Sequence, residues 1–167
     1  MLFLRAVFFT LLMPGTVLIV VPWLLLRGQP SSNAWHLDPR SVLGLLSMAA
    51  GAGVLLYCIR DFAVSGRGTL APVDPPRKLV RVGLYRHVRN PMYLGVVLVL
   101  VGEAIFFESR VLSFYATIVA LTFHLFVVLY EEPKLRAVFG EEYDAYRSEV
   151  PRWIPRLRPA RRFGGDA

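Results

Sequence analysis

One cysteine, Cys58, stands in the whole chain, which excludes a disulfide framework and any zinc site built from several thiolates. Charge is scarce as well, with Asp, Glu, Lys and Arg together making 19% of 167 residues. Apolar residues make up 55%, and so hydrophobic a chain is not disordered over most of its length. No Walker loop, GxGxxG fingerprint, HExxH pair or GxSxG elbow occurs, so the common nucleotide, zinc and serine-hydrolase chemistries have no carrier. No metal site and no internal repeat is expected. What charge there is leans one way, to a formal net +7. Basic nucleic-acid binders are seldom so apolar, and the mean hydropathy is +0.50. A membrane protein fits better, with no nucleic-acid partner.

Four stretches approach the roughly 20 apolar residues that cross a bilayer. They are Ala6 to Leu26, Ser41 to Ile59, Met92 to Phe107 (interrupted by Glu103) and Val111 to Tyr130 (carrying His124). Each is expected as a helix, because open strands leave backbone groups unsatisfied in lipid. The third is short and need not span fully. Pro14, Gly15 and Pro22 are expected to bend the first helix. That helix is expected to be retained, since its apolar run exceeds the usual signal-peptide core of about 7–15 residues.

The cations then set the orientation. Sixteen of nineteen fall at the N-terminus, in the loop between the second and third stretches, or after Tyr130; only Arg27, Arg40 and Arg110 lie opposite. By the positive-inside rule, both termini and the long loops are cytoplasmic, at the inner membrane if the cell is bacterial. The fold expected is all-α, a polytopic membrane bundle of about four spans. Its cytoplasmic loop and C-terminal helical tail would form the site. Residues 1–158 read as one membrane domain, its motif-bearing part 66–155, and 159–167 as a basic disordered tail. Glu108-Ser109-Arg110 reads as a tight hairpin, and the tail from Glu131 as an amphipathic helix that Gly140 can end. Pro151 and Pro155 then force an extended course.

Several residues invite a functional reading beside a plain one. Ser47 to Gly53 is most simply a close-packing helix face. Glu103 inside a span is costly, and its plain reading is a site near the membrane edge or a bond to a neighbouring helix. His124 reads as a hydrogen-bonded packing residue and Cys58 as an inert packed thiol. His87 is either a surface residue or a functional one. Asn90-Pro91 opens the third helix, Asn as a cap and Pro in the first turn. The free amides of that helix start suit a carboxylate. Glu131 and Glu132 leave the fourth helix at the same depth, so a ligand carrying both charges would fit between.

The stretch Gly83-Leu-Tyr85-Arg-His-Val-Arg89-Asn90-Pro91-Met-Tyr93-Leu-Gly95 resembles the first signature block of the isoprenylcysteine carboxyl methyltransferase family and the related phospholipid methyltransferases. The tail Glu131-Glu132 … Phe139-Gly140 … Tyr143 … Tyr146 … Val150-Pro151 … Ile154-Pro155 resembles their second block. The first two helices carry no family feature. The resemblance implies an integral membrane methyltransferase using S-adenosylmethionine. By position, Tyr85, His87, Arg89, Asn90, Pro91, Tyr93 and Gly95 would form one wall of the cofactor site. Glu131 and Glu132 would form the other, with Tyr143 and Tyr146 closing it. Arg89 and Glu132 would carry catalysis, Arg89 orienting an acceptor carboxylate or, in its plain reading, anchoring lipid phosphate. Where family members often carry His, this chain has Asn90, which hydrogen-bonds but does not titrate. The acceptor would be a lipidic or prenylated small molecule or protein, its carboxylate methylated as in isoprenylcysteine esterification. The alternatives are a phospholipid amine N-methyltransferase, a sterol-reductase-like oxidoreductase, and a non-enzymatic membrane scaffold.

Overall fold

In the computed structural model the chain is described over residues 15–28, 38–65 and 79–160. The start of the first apolar stretch with Pro14, the Gly66-Arg67-Gly68-Thr69 loop with its prolines, and residues 161–167 lie outside the described residues. Described residues form α1 (Val21–Leu26), preceded by a π turn Thr16–Val20, α2 (Pro39–Ser65) and a 3-10 turn Gly83–Arg86. Then come α3 (Pro91–Phe106), α4 (Arg110–Phe126), a π turn Val127–Glu131, α5 (Glu132–Phe139) and α6 (Glu141–Glu149). No strand occurs among them.

Two helices are long and apolar enough to cross a membrane: Pro39–Asp61, and the continuous rod Arg110–Phe139 formed by α4, its π turn and α5. Thr16–Leu26 and Pro91–Phe106 are shorter apolar helices. The outer faces are inside-out relative to a water-soluble bundle. Leu43, Leu46 and Leu56 on α2, with Phe114 and Leu121 on α4, are each more than half exposed. Such faces suit a lipid surround.

Both π turns precede a proline by two residues. A proline ring clashes with the carbonyl four residues back. A widened turn relieves that clash, and the ladder accordingly runs Val21 N to Thr16 O before Pro22 and Glu132 N to Val127 O before Pro133. The second turn bears on function, because it rotates Glu131 and Glu132 relative to the rest of the rod. Gly140 ends α5 with φ +52, as its composition suggested, and lets α6 fold back.

α2 and α3 meet in backbone contact. A Cβ added at Gly51 would lie 2.6 Å from the Gly95 carbonyl, and one at Gly102 would lie 2.7 Å from the Gly44 carbonyl. The glycines are seven apart on each helix, so the two contacts fall on one seam. Ser47 bridges the seam through its hydroxyl, which donates to Leu98 O at 2.8 Å. The close-packing face is therefore Gly44, Ser47 and Gly51, which begins before the expected Ser47–Gly53 and leaves out Gly53, with nothing within 4 Å. Leu55, Val96, Leu100 and Ala116 form the core between α2, α3 and α4. At the far turn Ser109 caps α4, its Oγ accepting from Leu112 N at 3.3 Å. That capping makes α3 and α4 the expected antiparallel hairpin.

A second, smaller core lies beyond the motif end of the helices: Tyr143, Tyr146, Val150 and Ala160, with Leu79, Leu135 and Phe139 around them. Ala160, the last described residue, is 2% exposed in this core.

Candidate active site

The first motif block and the tail are stitched along their backbones. Arg89 N donates to Pro151 O, Arg156 N to His87 O and Ala160 N to Arg86 O, all within 3.0 Å. Arg86 adds a guanidinium donated to Ala160 O. The His87 ring donates from Nδ1 to Arg156 O at 2.8 Å, and the Tyr146 hydroxyl donates to Tyr85 O at 2.7 Å. Arg81 pairs with Glu142 beside this seam. Residues 61 to 74 positions apart in sequence are thereby folded onto one another at the end of the apolar helices.

At the centre is Glu132, 8% exposed. Its Oε1 accepts from Arg89 Nη1 at 2.9 Å. Arg152 clamps both oxygens, Nε to Oε1 at 2.6 Å and Nη2 to Oε2 at 2.8 Å. Such a bidentate fork is among the strongest ion-pair geometries. Arg89 Nη1 also donates to the Tyr143 hydroxyl at 3.1 Å, and its Nε is buried with no partner among the described residues. Two guanidinium groups on one carboxylate leave a local surplus of positive charge. The bond to Glu132 holds the Arg152 guanidinium more firmly protonated still. Burial pushes the Tyr85, Tyr143 and Tyr146 phenols up, so they stay neutral and act through hydrogen bonds rather than as bases.

Glu131 belongs to a different contact. Its Oε2 accepts from the Tyr93 hydroxyl at 2.9 Å, and Tyr93 sits in the first turn of α3. Pro91 occupies N1 as expected, and the amides of Met92 and Tyr93 have no acceptor within the helix. A carboxylate and a helix start that both signatures contribute thus lie against each other.

Some expected residues serve elsewhere. Asn90 does not cap α3 with its side chain; with ψ 55 in place of an extended value, its amide turns outward and donates to Arg152 O at 3.2 Å. Gly95 lies on the α2–α3 seam, where its missing side chain allows the helices to touch. His87 and Tyr146 hold the loop to the tail. Of the residues expected at the site, the structure brings together Arg89, Tyr93, Glu131, Glu132 and Tyr143 at its polar centre, with Asn90 and Pro91 at the helix start and Tyr85 behind.

Sequence reasoning missed Arg152. A buried carboxylate pair needs cations, and the one basic residue beside Pro151 was the available signal. It also missed Trp153, whose Nε1 donates to His124 Nδ1 at 3.0 Å; His124 is hydrogen-bonded as expected, but exposed rather than packed inside. Glu103 sits at the opposite end of α3, half-buried, with Oε2 unpartnered among the described residues. Cys58 is fully buried. No group of three or more His, Cys, Asp or Glu that could hold a metal occurs among the described residues.

The described residues thus form an apolar helical bundle with a polar cluster built at one end from two linked sequence blocks. The chain belongs to the phospholipid methyltransferase family, whose model matches residues 39–142. It is 32% identical over 77 residues to protein-S-isoprenylcysteine O-methyltransferase of Schizosaccharomyces pombe, covering 46% of this chain and 33% of that protein. It is 27% identical over 158 residues to methanethiol S-methyltransferase of Pseudomonas deceptionensis, covering 86% and 57%. A probable protein-S-isoprenylcysteine O-methyltransferase of Oryza sativa subsp. japonica is 33% identical over 82 residues, covering 49% and 43%. The matches thus span between a third and just over half of these relatives' lengths. No solved structure matches the chain.

Proposed function

We propose that the chain is an integral membrane methyltransferase that uses S-adenosylmethionine to methylate a carboxylate on a lipidic or prenylated acceptor. The observation that carries this reading is the contact of Glu131 with Tyr93 at the start of α3. Its donor set suits the cofactor's zwitterionic methionyl end: amides for the carboxylate and a carboxylate for the ammonium. Glu131, Tyr93 and the Met92 and Tyr93 amides would hold the cofactor, with Tyr85 behind them. When bound, S-adenosylmethionine supplies an electrophilic methyl group on a sulfonium.

The chain's own part is then positioning. Holding reactants in line can lower a barrier by about 7–11 kcal/mol, and a preformed acceptor carboxylate needs no base. Glu132 is neutralised by Arg89 and Arg152, so its role is to fix Arg89 rather than to hold an ammonium. Arg89, whose Nε has no partner among the described residues, orients the acceptor carboxylate. Tyr143 steadies Arg89 from the tail side. The cation distribution supports placing both long loops and the active site on the cytoplasmic side.

A thiol acceptor is the second reading, favoured by the relative with the widest coverage, which is named a methanethiol S-methyltransferase. Methyl-labelled S-adenosylmethionine incubated with membranes holding the chain separates the two. Base-labile label in the lipid fraction is the outcome expected. Base-stable label on a thioether favours the second reading, and no incorporation with no saturable cofactor binding overturns both.

A further inference from the structure

Residues 150–160 cross the motif end of the bundle as a strap. Its backbone is pinned at three places: Pro151 O accepts from Arg89 N, while Arg156 N and Ala160 N donate to His87 O and Arg86 O. Between these points two large aliphatic side chains turn away from the protein. Ile154 is 79% exposed and Leu157 98% exposed, although the backbone on either side of each is held. Apolar side chains so fully exposed on a fixed backbone form a presented surface rather than a frayed end.

Two further observations say what covers that surface. The first is position. Trp153 donates to His124, which lies seven residues before Glu131 on the rod, about 10 Å back toward its apolar side. The rod's side chains beside His124, Leu121 and Leu125, are themselves more than half exposed, so Ile154 leads off from a lipid-facing strip. An indole at that depth suits the membrane–water boundary. The second is charge. Arg156 and Arg158 flank Leu157, and no acidic residue occurs from 150 to 160. No carboxylate pairs with either guanidinium among the described residues. Arg161 and Arg162 follow in the sequence. Apolar side chains interleaved with unneutralised arginines fit anionic phospholipid, its headgroups above and its acyl chains below.

We propose that residues 153–158 form an interfacial anchor for anionic phospholipid, and that this contact holds the strap closed over the polar site. Ile154 and Leu157 enter the headgroup boundary, while Arg156 and Arg158 meet lipid phosphates. Arg156 Nη1 donates to Glu149 O, which leaves its other nitrogens for lipid. The same strap carries Arg152, which clamps Glu132, and the Arg152 carbonyl that takes the Asn90 amide. Attraction to lipid on one side of the strap therefore stabilises a cation of the polar site on the other. Membrane surface charge becomes a regulator of the site. The lipid contact stands on the strap alone; its effect on S-adenosylmethionine affinity rests on the methyltransferase reading.

The test uses the full chain in phosphatidylcholine nanodiscs with and without phosphatidylglycerol. Hydrogen exchange read by mass spectrometry follows the strap through the amides of Arg89, Arg156 and Ala160. Phosphatidylglycerol should slow their exchange about tenfold. Arg158→Glu and Leu157→Asp should each remove that slowing, while Leu157→Phe should keep it. Arg158→Glu should leave exchange in phosphatidylcholine discs unchanged, which reports an intact fold. Equal exchange in the two discs, or full slowing in both Arg158→Glu and Leu157→Asp, overturns the proposal. Equal slowing by inorganic phosphate added to phosphatidylcholine discs would mark a site for a soluble anion and overturn it too. Disulfide dimers of Leu157→Cys forming readily in phosphatidylglycerol discs would put a second copy on this face, with the same consequence. Calorimetry on the same discs should show S-adenosylmethionine binding about threefold tighter with phosphatidylglycerol. Slowed exchange with equal affinity overturns the coupling to the site. Absence of saturable cofactor binding in every disc removes the methyltransferase reading while exchange still decides the anchor, and saturable binding with equal exchange does the reverse.

Discussion

Glu132→Met is the most direct test of how the site is held. The carboxylate sits between Arg89, whose side chain is 9% exposed, and Arg152, 29% exposed. Losing it strands Arg89 in a nearly dry position where one guanidinium nitrogen already lacks a partner. Removing one member of a buried ion pair costs about 3–5 kcal/mol. Arg152 is accessible enough to turn to water, so its released charge adds little. We take the lower bound, about 3 kcal/mol, because Tyr143 still accepts from Arg89. For a chain of this size each kcal/mol moves the melting temperature by about 2–4 °C, giving a fall of about 6–12 °C. The assay is thermal unfolding in nanodiscs, followed by near-ultraviolet circular dichroism. Arg89→Met alone should be costly for the mirrored reason, and the double variant Arg89→Met/Glu132→Met should recover about 2 kcal/mol relative to the sum of the singles. Additive losses, or a fall under about 2 °C for Glu132→Met, would refute the claim that the pair is buried and interdependent.

Gly51→Ala places a methyl 2.6 Å from the Gly95 carbonyl and should destabilise by about 1–3 kcal/mol. Gly53→Ala, which meets nothing within 4 Å, should instead stabilise by up to about 1 kcal/mol; detergent-unfolding curves read both. Tyr93→Phe removes the donor to Glu131 and should weaken S-adenosylmethionine binding about tenfold by calorimetry. Unchanged affinity would take Glu131 out of the cofactor site. Gly140→Ala forces an alanine to φ +52 and ψ −126, at about 1–3 kcal/mol, and should increase proteolysis between α5 and α6.

Much of this architecture is legible in local pattern. Hydropathy alone marks α2 and α4, because a lipid-facing helix is apolar on its outer side as well as its inner one. Ser109 and Gly140 mark turns because capping and left-handed backbone depend on one residue. Contacts that join distant segments are illegible in the same way that the turns are legible. Asn90 is a good cap by type, yet the carbonyl of Arg152 takes its amide. Gly95 looks like part of a site motif, yet its neighbour is Gly51 on another helix. Arg152 and Trp153 acquire their roles only when the tail folds back, since nothing local distinguishes them from the other cations and aromatics near the C-terminus. Pro133 carries a readable signal for the π turn before it, because its clash is with its own helix.

The glycine seam has a mechanical consequence. α2 and α3, joined backbone to backbone at two points, have no slack between them and move as one plate. The rod Arg110–Phe139 has no such seam with α3; a groove lies there instead, and the rod is tethered at the turn by Ser109. Glu131 stands about 32 Å along it from that tether. At that radius a tilt of about 5° carries the carboxylate through about 3 Å, roughly the length of its bond to Tyr93. The helix start thus sits on the fixed plate and the acidic pair on the long arm of a lever. Whatever wedges the groove open or draws it shut is magnified most where the two halves of the site face each other.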